Sequence, residues 1–377
     1  MMKKNWKYNK IGDVADIVHG KNQKDVVSAH GKYPIYGSGG TIMGYATEYL
    51  CPAGTTILGR KGTINNPQYI NHKFWNVDTA FGIVAKKSID SKYLFFFIKK
   101  QDWSKMNTGT TLPSLTQAIV KNVDIPLPPL SEQKEIVEYL DSSFAKIDKL
   151  KENAAKNLEE AKALFQSALK DALEPKEGWE YCEFSKVVDS LRTGLNPRVH
   201  FKLNTEDAQG YYVTVRELKG FTFEIDSKTD RINDAAIKRI NERSNLQIGD
   251  VLFSGTGTIG RTALVEEEPT WWNIKEGVYA ITPNKNRLES KFLIYLFKSD
   301  LILNKIYSKA SGATIRSIPM KELNKIVLPI PPLSEQQSIV SYLDSLNEKI
   351  NTLQQNYSRI CNECDALKQA ILRQVFE

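Results

Sequence analysis

Histidine and cysteine are scarce, four of each in 377 residues. His19, His30, His72 and His200 do not stand at metal-ligand spacing from any cysteine, so no zinc-type site is expected. Cys361 and Cys364 form a C-x-x-C inside a long helical stretch, where the second falls on an apolar seam. Core packing is therefore expected of it rather than redox or metal work. With Cys51 and Cys182 they make no disulfide framework, and such usage fits a reducing cytoplasm. Long apolar runs are missing as well. The densest, Tyr93 to Ile98, is far too short to span a bilayer. Met1-Met2-Lys3-Lys4-Asn5-Trp6 has no apolar stretch behind its lysines, which argues against a signal peptide. The expectation is a cytoplasmic protein with no membrane partner.

Catalytic signatures are equally lacking. Gly37-Ser-Gly-Gly40 and Gly255-Thr-Gly257 are not followed by Gly-Lys-Ser/Thr, so neither is a nucleotide-binding loop. Phe253-Ser-Gly-Thr-Gly257 imitates the F-x-G-x-G of S-adenosylmethionine-binding enzymes, but Asn66-Pro67-Gln68 is the nearest approach to the motif that should accompany it, and it fails. No Pro-Asp precedes an Asp/Glu-x-Lys, so no nuclease core is apparent. The chain is expected to be no enzyme, with no metal and no cofactor of its own.

What the sequence does have is a duplication. Ile125-Pro-Leu-Pro-Pro-Leu-Ser-Glu-Gln133 returns as Leu328-Pro-Ile-Pro-Pro-Leu-Ser-Glu-Gln336, and from Pro126 the match continues without a gap to Glu174 and Glu377, with 23 of 49 positions identical. Upstream the match is weaker. Gly109–Leu115 pairs with Gly312–Ile318, Ser91–Leu94 with Ser290–Leu293, Gly54–Ile64 with Gly249–Ile259, and Trp6-Lys-Tyr8 with Trp179-Glu-Tyr181. The plan is a variable lobe followed by a well-matched tail, twice, with lobe two longer mostly before Gly249. Four segments follow: lobe one at 1–125, a first tail at 126–174, lobe two at 175–327 and a second tail at 328–377.

The tails read as long helices. Ser131 is a candidate N-cap with Glu132 in the first turn, and Ser334-Glu-Gln-Gln337 has the form of a capping box. About 44 residues without Gly or Pro give a rod of roughly 66 Å. The apolar seam of the second tail is Leu343, Leu346, Ile350, Leu353, Tyr357, Ile360, Cys364, Leu367 and Ile371, a 3-4 repeat of coiled-coil type. Equivalent positions of the first tail are smaller: Leu140, Ser143, Ile147, Leu150, Ala154, Asn157, Ala161, Leu164 and Ala168. Connectivity makes the pairing antiparallel, since the first helix ends where lobe two starts and the second starts where lobe two ends. The expected fold is α+β: two mixed α/β lobes held apart by an antiparallel coiled coil.

The formal charge of +7 is unevenly placed. Residues 1–125 carry +9 and 175–327 carry +3, whereas the tails carry −3 and −2. A polyanion would engage the lobes and leave the helices clear.

At this point the residues resemble a family. Leu127 to Asp141 and Ile330 to Asp344 are similar to the conserved region of specificity subunits of type I restriction–modification enzymes, as are Tyr33-Pro-Ile-Tyr-Gly-Ser-Gly-Gly40 and Gly249–Gly260 to segments of their target recognition domains. The resemblance spans essentially the whole chain. It implies a non-catalytic subunit in which each lobe reads one half of a split, asymmetric site in double-stranded DNA. Two modification subunits would bring S-adenosylmethionine and methylate adenine N6. Restriction subunits, using ATP and magnesium, would cleave unmethylated DNA. Two other readings stay open: a free-standing two-lobed DNA-binding regulator, and a coiled-coil adaptor whose lobes bind protein.

Base reading needs Arg, Lys, Asn, Gln, Ser or Thr on firmly held loops. In lobe one the candidates are Lys21, Asn22, Gln23 and Lys24, then Arg60, Lys61 and Thr63, then Thr110 and Thr111. In lobe two they are Arg192, Asn196 and Arg198, then Thr256, Thr258 and Arg261, then Thr314 and Arg316. Gly62-Thr-Ile64 and Gly257-Thr-Ile259 are equally consistent with plain structural turns. Trp75 and Trp272 are expected in the core rather than as stacking platforms.

Overall fold

The computed structural model describes residues 6–312 and 315–377 and divides into two compact units, 1–156 with 356–377, and 157–355. In unit 1, strand Lys7–Lys10 pairs antiparallel with Asp124–Leu127 and so closes lobe one. Inside lie a four-stranded sheet, in the order Ala15–His19, Ala80–Ala85, Thr55–Gly59, Gln68–Ile70, and a three-stranded sheet, in the order Ile42–Ala46, Tyr33–Tyr36, Trp75–Asn76. The first sheet is antiparallel, whereas Tyr33–Tyr36 and Trp75–Asn76 run parallel. Thr55–Gly59 is central and buried at every position, which suits Ile57 and Leu58 beside the compact Thr55, Thr56 and Gly59.

Unit 2 repeats this order strand for strand. Glu180–Glu183 pairs with Val327–Ile330, the larger sheet runs Val188–Thr193, Val278–Pro283, Val251–Ser254, Thr262–Leu264, and the smaller runs Arg231–Ile232, Gly210–Val213, Trp272–Ile274, again with one parallel pair. The duplication in the sequence is thus a duplication of topology. Trp75 and Trp272 are buried, as expected.

Two helices, Leu130–Ala172 and Leu333–Phe376, have 43 and 44 residues. Each starts just before the expected serine cap. The carbonyls of Pro129 and Pro332 accept from the amides of Gln133 and Gln336, both at 3.0 Å, so Ser131 and Ser334 stand inside the first turn rather than capping it. In unit 1 the helices pair antiparallel, with Lys151 bonded to Asp365 at 2.9 Å and Lys368 to Asp148 at 2.5 Å. In unit 2 Phe165, Leu169 and Leu173 share a core with Ile339, Val340 and Leu343, while Lys176 lies 3.8 Å from Glu335, again antiparallel.

The expected seam needs correction. Leu150 and Leu164 are 58% and 72% exposed, and Leu353 and Leu367 are exposed too. The first helix keeps Leu140 and Ile147 of that seam buried and otherwise buries Ile136, Val137, Phe144, Leu158, Phe165 and Leu169, with Leu173 just past its end. Ile147, Leu158 and Leu169 are eleven residues apart, the repeat of 3.67 per turn, so a strict heptad register rotates off the contact. The second helix keeps Leu343 and Cys364 buried and adds Leu372, Val375 and Phe376 at its end.

Each lobe is joined to its long helix in the same way. The buried Gln133 carboxamide accepts from the amide of Asp90 at 2.7 Å and donates to the carbonyl of Pro128 at 2.8 Å. Gln336 accepts from the amide of Glu289 at 2.9 Å and donates to the carbonyls of Arg287 and Pro331 at 2.8 and 2.9 Å. Asp90 and Glu289 in turn cap the helices Ser91–Lys100 and Ser290–Lys298. About two turns further along each long helix, Lys92 pairs with Asp141 at 2.6 Å and Lys291 with Asp344 at 2.9 Å. These contacts account for the glutamine and aspartate repeated in the two tails.

The stretch that lengthens lobe two is organised by Glu217. Its buried carboxylate accepts from the Thr214 amide and hydroxyl at 2.8 and 2.7 Å and from Arg216 Nε at 2.8 Å. Burial alone would raise its pKa, but the bonds from Thr214 and Arg216 outweigh that and hold it below the ordinary value. A depressed carboxylate contributes stability above its unfolded pKa of about 4.5 and loses it as pH falls toward the folded value. Thermal melts between about pH 5 and 3 are expected to show lobe two losing more stability in the wild type than in Glu217→Gln; equal losses would refute this.

Candidate nucleic-acid interface

In lobe one the loop after strand Ala15–His19 is pinned through its backbone. The Gly20 amide donates to Ala80 O and the Lys21 amide to Asn76 O, both at 3.0 Å, while the Trp75 indole donates to Lys21 O at 3.1 Å. Gly20 is required there, because a Cβ would fall 1.8 Å from Val77 O, and Gly194 meets Ile274 O at the same distance in lobe two. With the main chain so held, Lys21, Asn22 and Lys24 point their side chains to solvent and Gln23 is half-buried. Asn22 also accepts from the Lys24 amide at 3.0 Å.

The second and third candidate loops are stitched together, identically in the two lobes. In lobe one the Gly62 amide donates to Pro113 O and the Leu115 amide to Arg60 O, both at 2.8 Å. In lobe two Gly257 donates to Arg316 O at 2.9 Å and Ile318 to Gly255 O at 2.8 Å. Gly62 and Gly257 both have φ of +81°, so these glycines serve the turn, whereas Thr63 and Thr258 beside them are exposed. The amides of Arg60 and Gly255 donate, both at 2.8 Å, to Thr79 O and Gly277 O, tying this platform to the strand that follows the buried Trp-Asn pair.

Individual side chains fare differently. Lys61, Thr110 and Thr111 are exposed, and Arg60 Nη1 donates to Asp78 O at 3.1 Å. Asn107, missed in the sequence, accepts from the amides of Gly109 and Ser114 at 2.8 and 2.7 Å and so shapes the loop that presents Thr110 and Thr111. In lobe two Arg198 and Arg316 are exposed, Asn196 accepts from the Arg198 amide at 3.1 Å, and Thr256 bonds to Ser317 at 3.0 Å. Arg261 is exposed with Nη1 3.3 Å from Val215 O. Thr314 lies outside the described residues. Arg192 differs from the rest. Its guanidinium is 2.8 Å from the fully buried Asp250, 2.5 Å from Thr282 Oγ1 and bonded to Asn245 O, so it is engaged within lobe two.

A cleft of about 610 Å³ in lobe one gathers Asn22, Gln23, Lys24 and Thr63 with Ser38, Thr41, Met43 and Asp78. None of the last four was among the candidate readers; the Gly37-Ser-Gly-Gly40 run was the signal for Ser38 and the adjoining Thr41 and Met43. Among the described residues no group of three or more His, Cys, Asp or Glu could hold a metal ion, and no helix is long and apolar enough to cross a membrane.

Two lobes of one topology, each with the same stitched loop pair carrying different side chains, define a duplicated recognition protein. Its sequence matches the model of the type I restriction modification DNA specificity domain twice, over residues 3–160 and 176–360, and the chain belongs to that family. The match confirms the resemblance carried by the two tail motifs. The chain is 25% identical over 349 residues to S.HindORF215P of Haemophilus influenzae, whose name assigns it provisionally to the type I restriction enzyme specificity subunits; 91% of this chain and 88% of that protein are covered. To the type I restriction enzyme EcoBI specificity subunit of Escherichia coli it is 22% identical over 361 residues, covering 85% and 72%. A chain in a solved structure on complex assembly and conformational transition of the type I R-M system superposes with a TM-score of 0.74 at 21% identity, covering 100% and 99%. That last similarity is one of fold.

Proposed function

We propose that this specificity subunit reads a bipartite, asymmetric site in double-stranded DNA, one half-site per lobe, through the stitched loops. The observation that carries this is the pairing itself: identical backbone bonds hold Arg60–Thr63 against Pro113–Leu115 and Gly255–Thr258 against Arg316–Ile318, while the exposed side chains differ. The same scaffold with different readers suits two different half-sites. Residues 1–125 and 175–327 are the target recognition domains and 126–174 and 328–377 the spacers. The chain itself is non-catalytic and cytoplasmic. Two modification subunits supply S-adenosylmethionine and methylate adenine N6, and restriction subunits supply ATP- and magnesium-dependent cleavage. Of the candidate side chains, Arg192 serves the lobe's own fold, and the exposed ones carry the contacts.

Mapping N6-methyladenine in the host with and without this gene tests the proposal. A two-part motif that disappears on deletion supports it, and an unchanged methylome refutes it. The helices act as a ruler in this reading. Removing seven matched residues from both is expected to shorten the unread spacer by roughly three base pairs, since seven residues span about 10.5 Å and a base pair 3.4 Å. Methylome sequencing of the variant reads the outcome, and altered half-sites at an unchanged spacer would defeat the ruler.

A further inference from the structure

Lys298 ends the helix Ser290–Lys298 of lobe two, with its ammonium 3.9 Å above the Phe221 ring and 5.8 Å from that of Tyr295. No hydrogen bond or ion pair of this group is found among the described residues. Asp344, the carboxylate whose field reaches it, is occupied by Lys291 at 2.9 Å and by the Tyr295 hydroxyl at 2.7 Å. Burial pulls the Lys298 pKa down to about 8. A cation largely stripped of water and left without an acceptor is unfavourable unless something else supplies one.

The surroundings indicate what that is. Lys298 lines a cleft of about 380 Å³ whose other walls carry Lys219 and Arg261, and no acidic side chain lines it among the described residues. Gly220 opens the cleft to the ammonium: its φ is +104°, and a Cβ there would stand 3.0 Å from Lys298 Nζ. Lys99 is the counterpart of Lys298 in lobe one; burial and then Lys368 lower its pKa, against which Asp148 and Asp365 act in part. The cleft that gathers Lys298 with two further cations lies in lobe two, beside the stretch in which that lobe is longer. Arg261 also directly follows the turn Gly257–Gly260.

We propose that Lys219, Arg261 and Lys298 form a phosphate-binding site, and that it takes a backbone phosphate of the DNA read by lobe two. The assignment to DNA rests on the function proposed above. Such a contact fixes position and carries no base information. Lys298→Met removes the charge but keeps an apolar stem over Phe221, and thermal melts check that the fold persists. Equilibrium binding by the full chain, with its methyltransferase subunits where binding requires them, is measured on its own site and on an unrelated duplex across a salt series. The variant is expected to lose affinity several-fold and equally for both, with the slope of log K against log salt smaller by about one. Lys298→Arg is expected to restore both. A loss confined to the specific site would make Lys298 a base reader and overturn the proposal. A second arm titrates inorganic phosphate and follows the melting temperature. If DNA binding is unchanged but phosphate stabilises the wild type and not Lys298→Met, the site stands and its assignment to DNA falls. If neither probe responds to the substitution, there is no site. If the wild type binds no DNA at all, the DNA-reading role fails, while the phosphate titration still decides the site.

Discussion

Asp250→Ala is expected to destabilise lobe two by about 3 kcal/mol or more, the range for removing one partner of a buried ion pair. Asp250 is fully buried and accepts from Arg192 at 2.8 Å, from Thr282 Oγ1 at 2.5 Å and from the Gln247 amide at 2.9 Å. Alanine would strand the Arg192 guanidinium, 15% exposed, whose Nε already has no partner. Most of the penalty is the uncompensated charge rather than the lost bonds. Arg192→Met added to Asp250→Ala is therefore expected to recover part of the stability, and Asp250→Asn to fall between the wild type and Asp250→Ala. Urea denaturation followed by a probe in lobe two measures this. A double variant no more stable than Asp250→Ala would refute the stranded-charge explanation. Lobe one has Thr55 at the position of Asp250, so its own transition should not move.

Gln133→Ala and Gln336→Ala are each expected to cost about 2–4 kcal/mol, because each orphans buried backbone groups at about 1–3 kcal/mol apiece. For Gln336 these are the Glu289 amide and the carbonyls of Arg287 and Pro331. Both glutamines are fully buried, so bulk solvent does not reach these groups in the intact joint. The two substitutions should act on different units, Gln133 on the first and Gln336 on the second, so a double variant should show nearly additive losses. Hydrogen exchange at the amides of Asp90 and Glu289 gives the sharpest measurement, each rising only in the matching variant. Unchanged exchange would show that the joint is held by something else.

Much of this architecture was legible because the chain repeats itself. Matched short segments such as Gly54–Ile64 and Gly249–Ile259 led to the same strand order in both lobes, although few residues are shared. The helices were legible in extent but not in facing. Leu150 and Leu164 satisfy a heptad on paper, yet Phe144, Leu158 and Phe165 are the residues covered, because the buried face follows a spacing near that of an undistorted helix. Ser131 fits a cap by residue type, but the prolines before it already supply the accepting carbonyl. Among site residues, the loops were legible because their glycines mark fixed turns. Arg192 was not, since its partner stands 58 positions away, just ahead of another strand, and neither was Lys298, whose cleft is assembled from three separated segments.

The end of the second helix bears on the order in which the chain matures during synthesis. Phe376 packs edge-on against Tyr93 and Phe97, with ring centroids 5.2 and 5.5 Å away, and Leu372 and Val375 join the same core. Unit 1 therefore draws its core from both ends of the numbering, whereas unit 2 is the single stretch 157–355. On a translating ribosome the later-encoded unit holds all its residues first, and the earlier one waits with part of its apolar interior uncovered until residues 356–377 emerge. A chain cut after residue 355 and tethered to the ribosome by an unstructured linker long enough to clear the exit tunnel should thus present a protease-resistant 157–355 and a cleavable 1–156.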